Sequence, residues 1–234
     1  MSTHRFQLIE FAGPPGSGKT TIAQATRELF HDQNIPLAED VPGSALLANR
    51  PLGIYDVLQH VWLLRYLTPG MLNLLALRRS SKDPERTRFV RRVKDVVEAL
   101  VLRRNVQSIK RNGAQHCILR SDGNLGRIAL FFARGIVGRR RALSILRGLY
   151  PPRTLFVIVN TPAQETIRRQ LERGTTLSLN PAVPLSEQSD SIDAFYSALH
   201  DLAQELKTTH DCDVATLDGT APSEHNTHRI AELV

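Results

Sequence analysis

The chain has 234 residues and 26.2 kDa, with 41% apolar and 23% charged residues: enough for one domain with a full core, and neither a disordered nor a fibrous composition. Two cysteines, Cys117 and Cys212, exclude a disulfide framework, no CxxC pair offers a zinc site, and the histidines show no metal-ligand spacing. The net charge of +7 is unevenly placed: residues 60–153 hold 21 Lys and Arg against five Asp and Glu, whereas residues 154–234 carry a net −7. So basic a middle points to an anionic partner, whether phosphorylated substrate, nucleic acid or lipid surface.

The opening MSTHRFQLIEFAG turns to Gly and Pro too soon for a signal peptide, so a cytoplasmic protein is expected. Residues 6–12 are short, apolar and bounded by Gly-Pro, the pattern of a buried strand. Residues 20–31 have the apolar spacing of a helix, and 36–40 read as a weaker second strand ended by Val41-Pro42-Gly43. Helices over 53–67 and 70–79 are joined by a turn at Thr68-Pro69-Gly70. The Leu-rich run 57–77 is no membrane span. Gln59, His60, Arg65, Pro69 and Asn73 interrupt it, and an interior Arg costs roughly 2.5–3.5 kcal/mol on insertion scales. A long helix is expected from Pro84 to about Arg111, stopping at Asn112-Gly113.

Residues 116–121 form the third predicted strand, leading into Asp122-Gly123, and helices follow over 125–133 and 139–149. After Pro151-Pro152, residues 154–159 are nearly all apolar and β-branched, as a strand covered on both faces should be. A helix over 162–173, a polar loop to Ser189, a helix over 190–208, a strand over 212–217 and a helix over 222–234 close the chain. The alternation implies an α/β three-layer sandwich around a five-stranded, mostly parallel sheet.

One motif carries chemistry. Gly13-Pro14-Pro15-Gly16-Ser17-Gly18-Lys19-Thr20 matches GxxxxGK[ST] in full, between a predicted strand and a predicted helix. Glycines let backbone N–H groups curl around phosphate oxygens where side chains would clash, and the helix entered at Lys19-Thr20 and continued by Thr21 turns its positive end to the same anion. Lys19 then reaches the β- and γ-phosphates of ATP, and the Thr20 hydroxyl ligates Mg²⁺.

In element order over nearly the whole chain, with this loop as the specific motif, the sequence resembles the P-loop kinases. More narrowly, it resembles the thymidylate-kinase-like group of nucleoside and nucleotide kinases. The resemblance implies one kinase domain over 1–234, with a basic helical acceptor-binding region at about 53–112 and a lid at about 168–189. The segment from Thr161 to Arg173 is similar to the one entering that family's lid, and Cys212–Asp218 to its closing strand. Where thymidylate kinases carry Asp-Arg after the third strand, this chain has Asp122-Gly123, and their Arg-Glu-Pro after the second has only a loose counterpart in Glu39-Asp40-Val41-Pro42. Thymidylate is therefore not the expected acceptor.

Asp40 and Asp122 both end predicted strands, at the sheet edge where ligands bind in open parallel sheets. Either suits a base that takes the acceptor proton; Asp122 has the stronger case, with Gly123 leaving room for substrate and its carboxylate also suited to Mg²⁺. Glu39 is a substrate-binding candidate beside Asp40. Arg103 and Arg104 end an apolar helical run before the third strand, and the resemblance implies that one of them meets the acceptor's anionic group. Arg169 and Arg173, four apart, share a helix face, and lid closure is expected to bring them onto the transferring phosphates.

The leading expectation is ATP-dependent phosphoryl transfer to a nucleotide, nucleoside or similar small acceptor bearing a hydroxyl or an anionic group. The competing ones are a polynucleotide 5′-hydroxyl kinase or other nucleic-acid-processing enzyme, a nucleotide-dependent regulatory binder without transfer, and a kinase of a lipid-linked or antibiotic acceptor. Few aromatics interleave with the basic residues, which weighs against nucleic acid. A homodimer is the assembly to test.

Overall fold

The computed structural model describes residues 5–38, 65, 67–76, 96–97, 99–100, 102–107, 116–121, 123–173, 184 and 187–234. In chain order these give β1 (Leu8–Ala12), α1 (Lys19–Asp32), β2 (Leu37–Ala38), α2 (Pro69–Leu75), β3 (Cys117–Arg120), α3 (Asn124–Ala133), α4 (Arg139–Leu149), β4 (Thr154–Asn160), α5 (Ala163–Glu172), α6 (Gln188–Thr209), β5 (Cys212–Asp218) and α7 (Ser223–Ala231). Residues 96–97, 99–100 and 102–107 are also helical, within the long helix expected from Pro84, and its residues before Val96 lie outside the described residues. So do residues 53–64 and 66 of the helix expected over 53–67, Glu39, Asp40, Asp122 and most of the lid.

The strands pair in the order β2-β3-β1-β4-β5, all parallel. Strands with no polar face need cover on both sides, and they hold the middle of the sheet: β1 is buried throughout, and β4 at every residue but Asn160. Side-chain alternation sends Ile9 and Phe11 to one face, against Ile22 and Phe30 of α1 and Ile230 of α7. Leu8 and Ala12 go to the other, into the larger core built with α2, α3, α4 and α6. This is a three-layer α/β fold of the P-loop type. Among the described residues, no helix is long and apolar enough to cross a membrane.

The order fixes where a ligand can sit. β1 and β3 are neighbours, yet the chain leaves β1 for α1 on one face and β3 for α3 on the other. Such a divergence opens a crevice beyond the carboxyl ends of the two strands.

Gly70 has a different role from the turn expected of it. Thr68 is the N-cap of α2, its hydroxyl accepting from Met71 N at 3.4 Å, and Pro69 takes the first helical position, where a missing N–H costs nothing. Gly70 is thus inside the helix, where α2 crosses α4. A Cβ there would overlap Ser144 O and lie 2.8 Å from Gly148 Cα, while Thr68 Oγ1 donates to Gly148 O at 2.9 Å. The obstructing atoms are backbone and cannot swing aside. Gly70→Ala should therefore destabilise the protein by roughly 1–3 kcal/mol, the range for overpacked contacts, read as a lower denaturant midpoint. An unchanged midpoint would contradict this crossing.

Candidate functional site

The loop between β1 and α1 is closed by two glycines that only glycine suits. Gly16 has φ +87° and Gly18 φ +89°, and Gly18 is the N-cap of α1. No side chain caps that helix end and no acidic residue occupies its first turn, so its N–H groups face an anion site without an internal competitor. Lys19 Nζ lies 3.4 Å from Pro14 O, folded back over its own loop, and Thr20 and Thr21 are exposed at the rim.

The loop is held from behind by the β4–α5 segment. Thr161 Oγ1 donates to Ser17 O at 2.9 Å, Gln170 Nε2 to Pro15 O at 2.6 Å, and Arg169 Nη1 to Gly16 O at 3.5 Å. Arg169 Nη1 also donates to Gly219 O at 3.1 Å, and its Nε to Glu165 Oε1 at 2.6 Å. Glu165 receives Arg168 as well, and hydrogen bonds from Arg168 and then Arg169 hold its carboxyl down to about 2. Arg168 itself turns outward between Glu165 and Glu172.

Beside the loop lies a cavity of about 410 Å³, lined by Gly18, Thr21 and Ile22 of the α1 entrance, Arg169 and Glu172 of α5 with Arg173 at its end, and Gly219, Thr220, Ala221 and Ser223, so that two guanidinium groups face one carboxylate. Arg169 and Arg173 line one space, as their four-residue spacing allows. A larger cavity, about 570 Å³, opens beyond the ends of β4 and β5. Its ionisable lining groups are the carboxylates of Asp193 and Asp218, and the Tyr196 hydroxyl there is already engaged with Val159 O and Thr161 N, both at 3.0 Å. Phosphate suits the cationic cavity and not this one.

On the other side of β1, Glu10 is fully buried in mid-strand, opposite Arg120 of β3. Its Oε1 accepts from Tyr150 Oη at 2.5 Å and from Leu125 N, at the start of α3, at 3.2 Å. Burial, then the charge and hydrogen bond of Glu10, push the Tyr150 hydroxyl well above its ordinary pKa, so it stays a donor. Gly123 stands directly on this carboxylate: a Cβ would overlap the Glu10 side chain. The space expected for an acceptor at Gly123 is in this structure occupied by Glu10. Asp122 lies between Ser121 and Gly123, outside the described residues, as do Asp40 and Glu39.

Arg103 lies far from the loop. Its Nη1 donates to Gly148 O at 3.0 Å, in the last turn of α4, and the chain then enters the amino end of β4. The P-loop follows the carboxyl end of β1, at the opposite edge of a parallel sheet. Arg103 is half-buried there, and burial lowers its pKa. Its neighbour Arg104 is exposed.

Sequence reasoning did not single out Glu10, Thr161, Gln170 or the Gly219–Ala221 turn as site residues. Asp218-Gly219 is a turn signal that could have marked the last of these. A lone Glu in an apolar strand and a Gln on a polar helix carry no such signal.

No protein-family model matches the chain, and no curated protein matches it. Among solved structures, it is similar to a deoxyadenosine kinase from M. mycoides with bound dCTP, at 10% identity and a TM-score of 0.45, covering 96% of this chain and 97% of that one. It is also similar to a shikimate kinase from Acinetobacter baumannii in complex with shikimate, at 12% identity and a TM-score of 0.46, covering 97% of this chain and 92% of that one. The fold assignment rests on the strand order and the loop.

The Glu10–Gly123 contact has a measurable consequence. Gly123→Ala should cost roughly 1–3 kcal/mol of stability, as overpacking against a buried group does. Combining it with Glu10→Ala, which removes the obstruction, should cost less than the sum of the two single changes in a double-mutant cycle. Strict additivity would show that the two residues do not meet.

Proposed function

We propose that the chain is an ATP-dependent phosphotransferase that moves the γ-phosphoryl group to a small-molecule acceptor, a nucleotide, nucleoside or similar metabolite. One observation carries the reading: a complete GxxxxGKT loop, folded with left-handed Gly16 and Gly18, at the amino end of an uncapped helix and beside a cavity bearing two arginines. In this reading the amides of Gly16 and of Gly18 onward receive the phosphate chain, and Lys19 swings off Pro14 O to neutralise the β- and γ-phosphates. The rest of the nucleotide occupies the cavity between α5 and the Gly219–Ser223 turn. There the Arg169 guanidinium, locked by Glu165 and two carbonyls, offers a fixed planar wall, and Arg173 closes the rim.

Mg²⁺ is ordinarily bound through one or two protein groups together with substrate phosphates, so the Thr20 hydroxyl and the Asp122 carboxylate form a fitting donor set. Its chemistry when bound is neutralisation of charge on the phosphate oxygens. The crevice between β1 and β3 is the place for the acceptor, with Asp122 or Asp40 as the base and Glu39 as a neighbouring contact, while Gly123 drops out because the Glu10 side chain fills the space beside it. Arg103 drops out of this set because of its place at the far sheet edge, and Arg104, the next residue of the same helix, drops out with it.

Two experiments follow. Lys19→Ala should abolish transfer from labelled ATP, across a panel of nucleosides, nucleotides, sugars and aminoglycosides, while leaving circular dichroism and Tm unchanged. Turnover unimpaired in that variant would sink the proposal. In the same assay Arg169→Ala should raise KM for ATP more than Arg173→Ala, since Arg169 also holds loop carbonyls; the reverse order would place the nucleotide elsewhere.

A further inference from the structure

The loop poses a problem of orientation that its own sequence does not solve. In a trans peptide the C=O of one residue and the N–H of the next point in opposite directions. Every described peptide here is trans. Whatever holds a carbonyl on one side of the loop therefore aims an N–H at the other. The carbonyls of three successive residues, Pro15, Gly16 and Ser17, are each taken by a donor, and all three donors come from the stretch between Thr161 and Gln170. Of the opposing amides, Ser17 N–H donates to Pro14 O at 3.2 Å, so those of Gly16 and Gly18 are the ones so aimed at an incoming anion.

We propose that Gln170, seconded by Thr161, is a positioning residue for phosphate binding: without touching the ligand, it fixes the loop's amides in the orientation that receives it. This rests on the reading of the loop as a nucleotide site. Gln170 is 2% exposed and Thr161 1% exposed, so neither side chain faces the ligand space. A carbonyl only accepts, so the Gln170 amide must present its NH2 to Pro15 O. An apolar side chain of the same size would fill the space without the cost of burying an amide, which makes the amide's bond the reason for it. The loop also has no slack against α5: a Cβ on Gly16 would lie 2.7 Å from Thr166 O and 3.1 Å from Gln170 Cγ. A carbonyl released by Gln170 can flip only by rotating its peptide, and that rotation withdraws the Gly16 N–H from the cradle.

Gln170→Met keeps the volume and removes the donor. The probes are ATP, inorganic tripolyphosphate and adenosine, each titrated against wild type, Gln170→Met and Lys19→Ala, with the Tm of the ligand-free proteins recorded alongside. The expected result is a loss of about tenfold in affinity for both ATP and tripolyphosphate, of the size that one buried hydrogen bond supplies, with adenosine affinity unchanged. Thr161→Val, which deletes the donor to Ser17 O, should show the same pattern and serves where Gln170→Met does not fold. Tripolyphosphate affinity equal to wild type in a folded variant would overturn the proposal, even with a lowered Tm, since that is the signature of packing alone. An equal loss for adenosine would overturn it too. Failure of the underlying reading looks different: wild type would then bind neither phosphate probe, or bind both as well in Lys19→Ala.

Discussion

An anion site made of backbone amides has a hidden requirement, which is somewhere to put the carbonyls of the same peptides. In this chain the requirement falls on the segment after β4. The loop's carbonyls face Thr161, Arg169 and Gln170, and the sheet delivers those donors because β4 is the immediate neighbour of β1. Parallel pairing in register, from Leu8 opposite Thr154 to Ala12 opposite Ile158, brings the exits of both strands to one edge at one height. The proposed phosphate cradle is thus a product of two strand exits, of which the motif names only the first.

The same edge on the other side of β1 is organised around Glu10. A carboxylate buried in the central strand would be costly alone, but here it meets a phenol hydroxyl and the amide at the start of α3. These bonds fasten the amino end of α3 to the middle of the sheet, and Gly123 lets the backbone pass directly over the carboxylate. The edge-to-face contact of Tyr150 with Phe156, centroids 4.9 Å apart, holds the phenol in place from β4. The chain at Gly123 and Leu125 is therefore anchored by the buried Glu10, as the loop at Gly16 is by α5 on the other flank of β1.

How much of this was legible in the sequence follows from the kind of signal each part leaves. β4 is an unbroken apolar run and the P-loop is a spaced motif with a strand before it and a helix after, so both are readable from the chain alone. α4 lies over 139–149 as its flanking Gly138 and Pro151 require. Of the second strand expected over 36–40, Leu37 and Ala38 pair with Cys117 and Ile118 of β3, and Glu39 and Asp40 lie outside the described residues. Gly70 and Gly123 both looked like local features, a turn and a gap for substrate. Each instead answers to an atom far along the chain, Ser144 O in one case and the Glu10 carboxylate in the other. Arg103 was misplaced for the same reason: a helix's sequence shows its faces but not which end of the sheet it will meet.

The charge asymmetry has a partly internal explanation. Arg139, from the basic middle, donates to Asp201 at 2.7 Å and to Glu205 at 3.3 Å, both on α6 in the acidic final third. Arg147 reaches Thr209 at 2.8 Å, and Arg141 the Asn73 carbonyl at 3.3 Å. Exposed pairs of this kind contribute about 0.2–1 kcal/mol each, so their effect is to set how α4 lies on α6 and α2 more than to hold the fold together. Arginines occupied in this way are poor evidence for a polyanion partner. In the proposed nucleotide site, by contrast, phosphate is to be drawn by oriented peptide dipoles and one lysine in a partly enclosed space, where salt screens less than it does on an open basic surface.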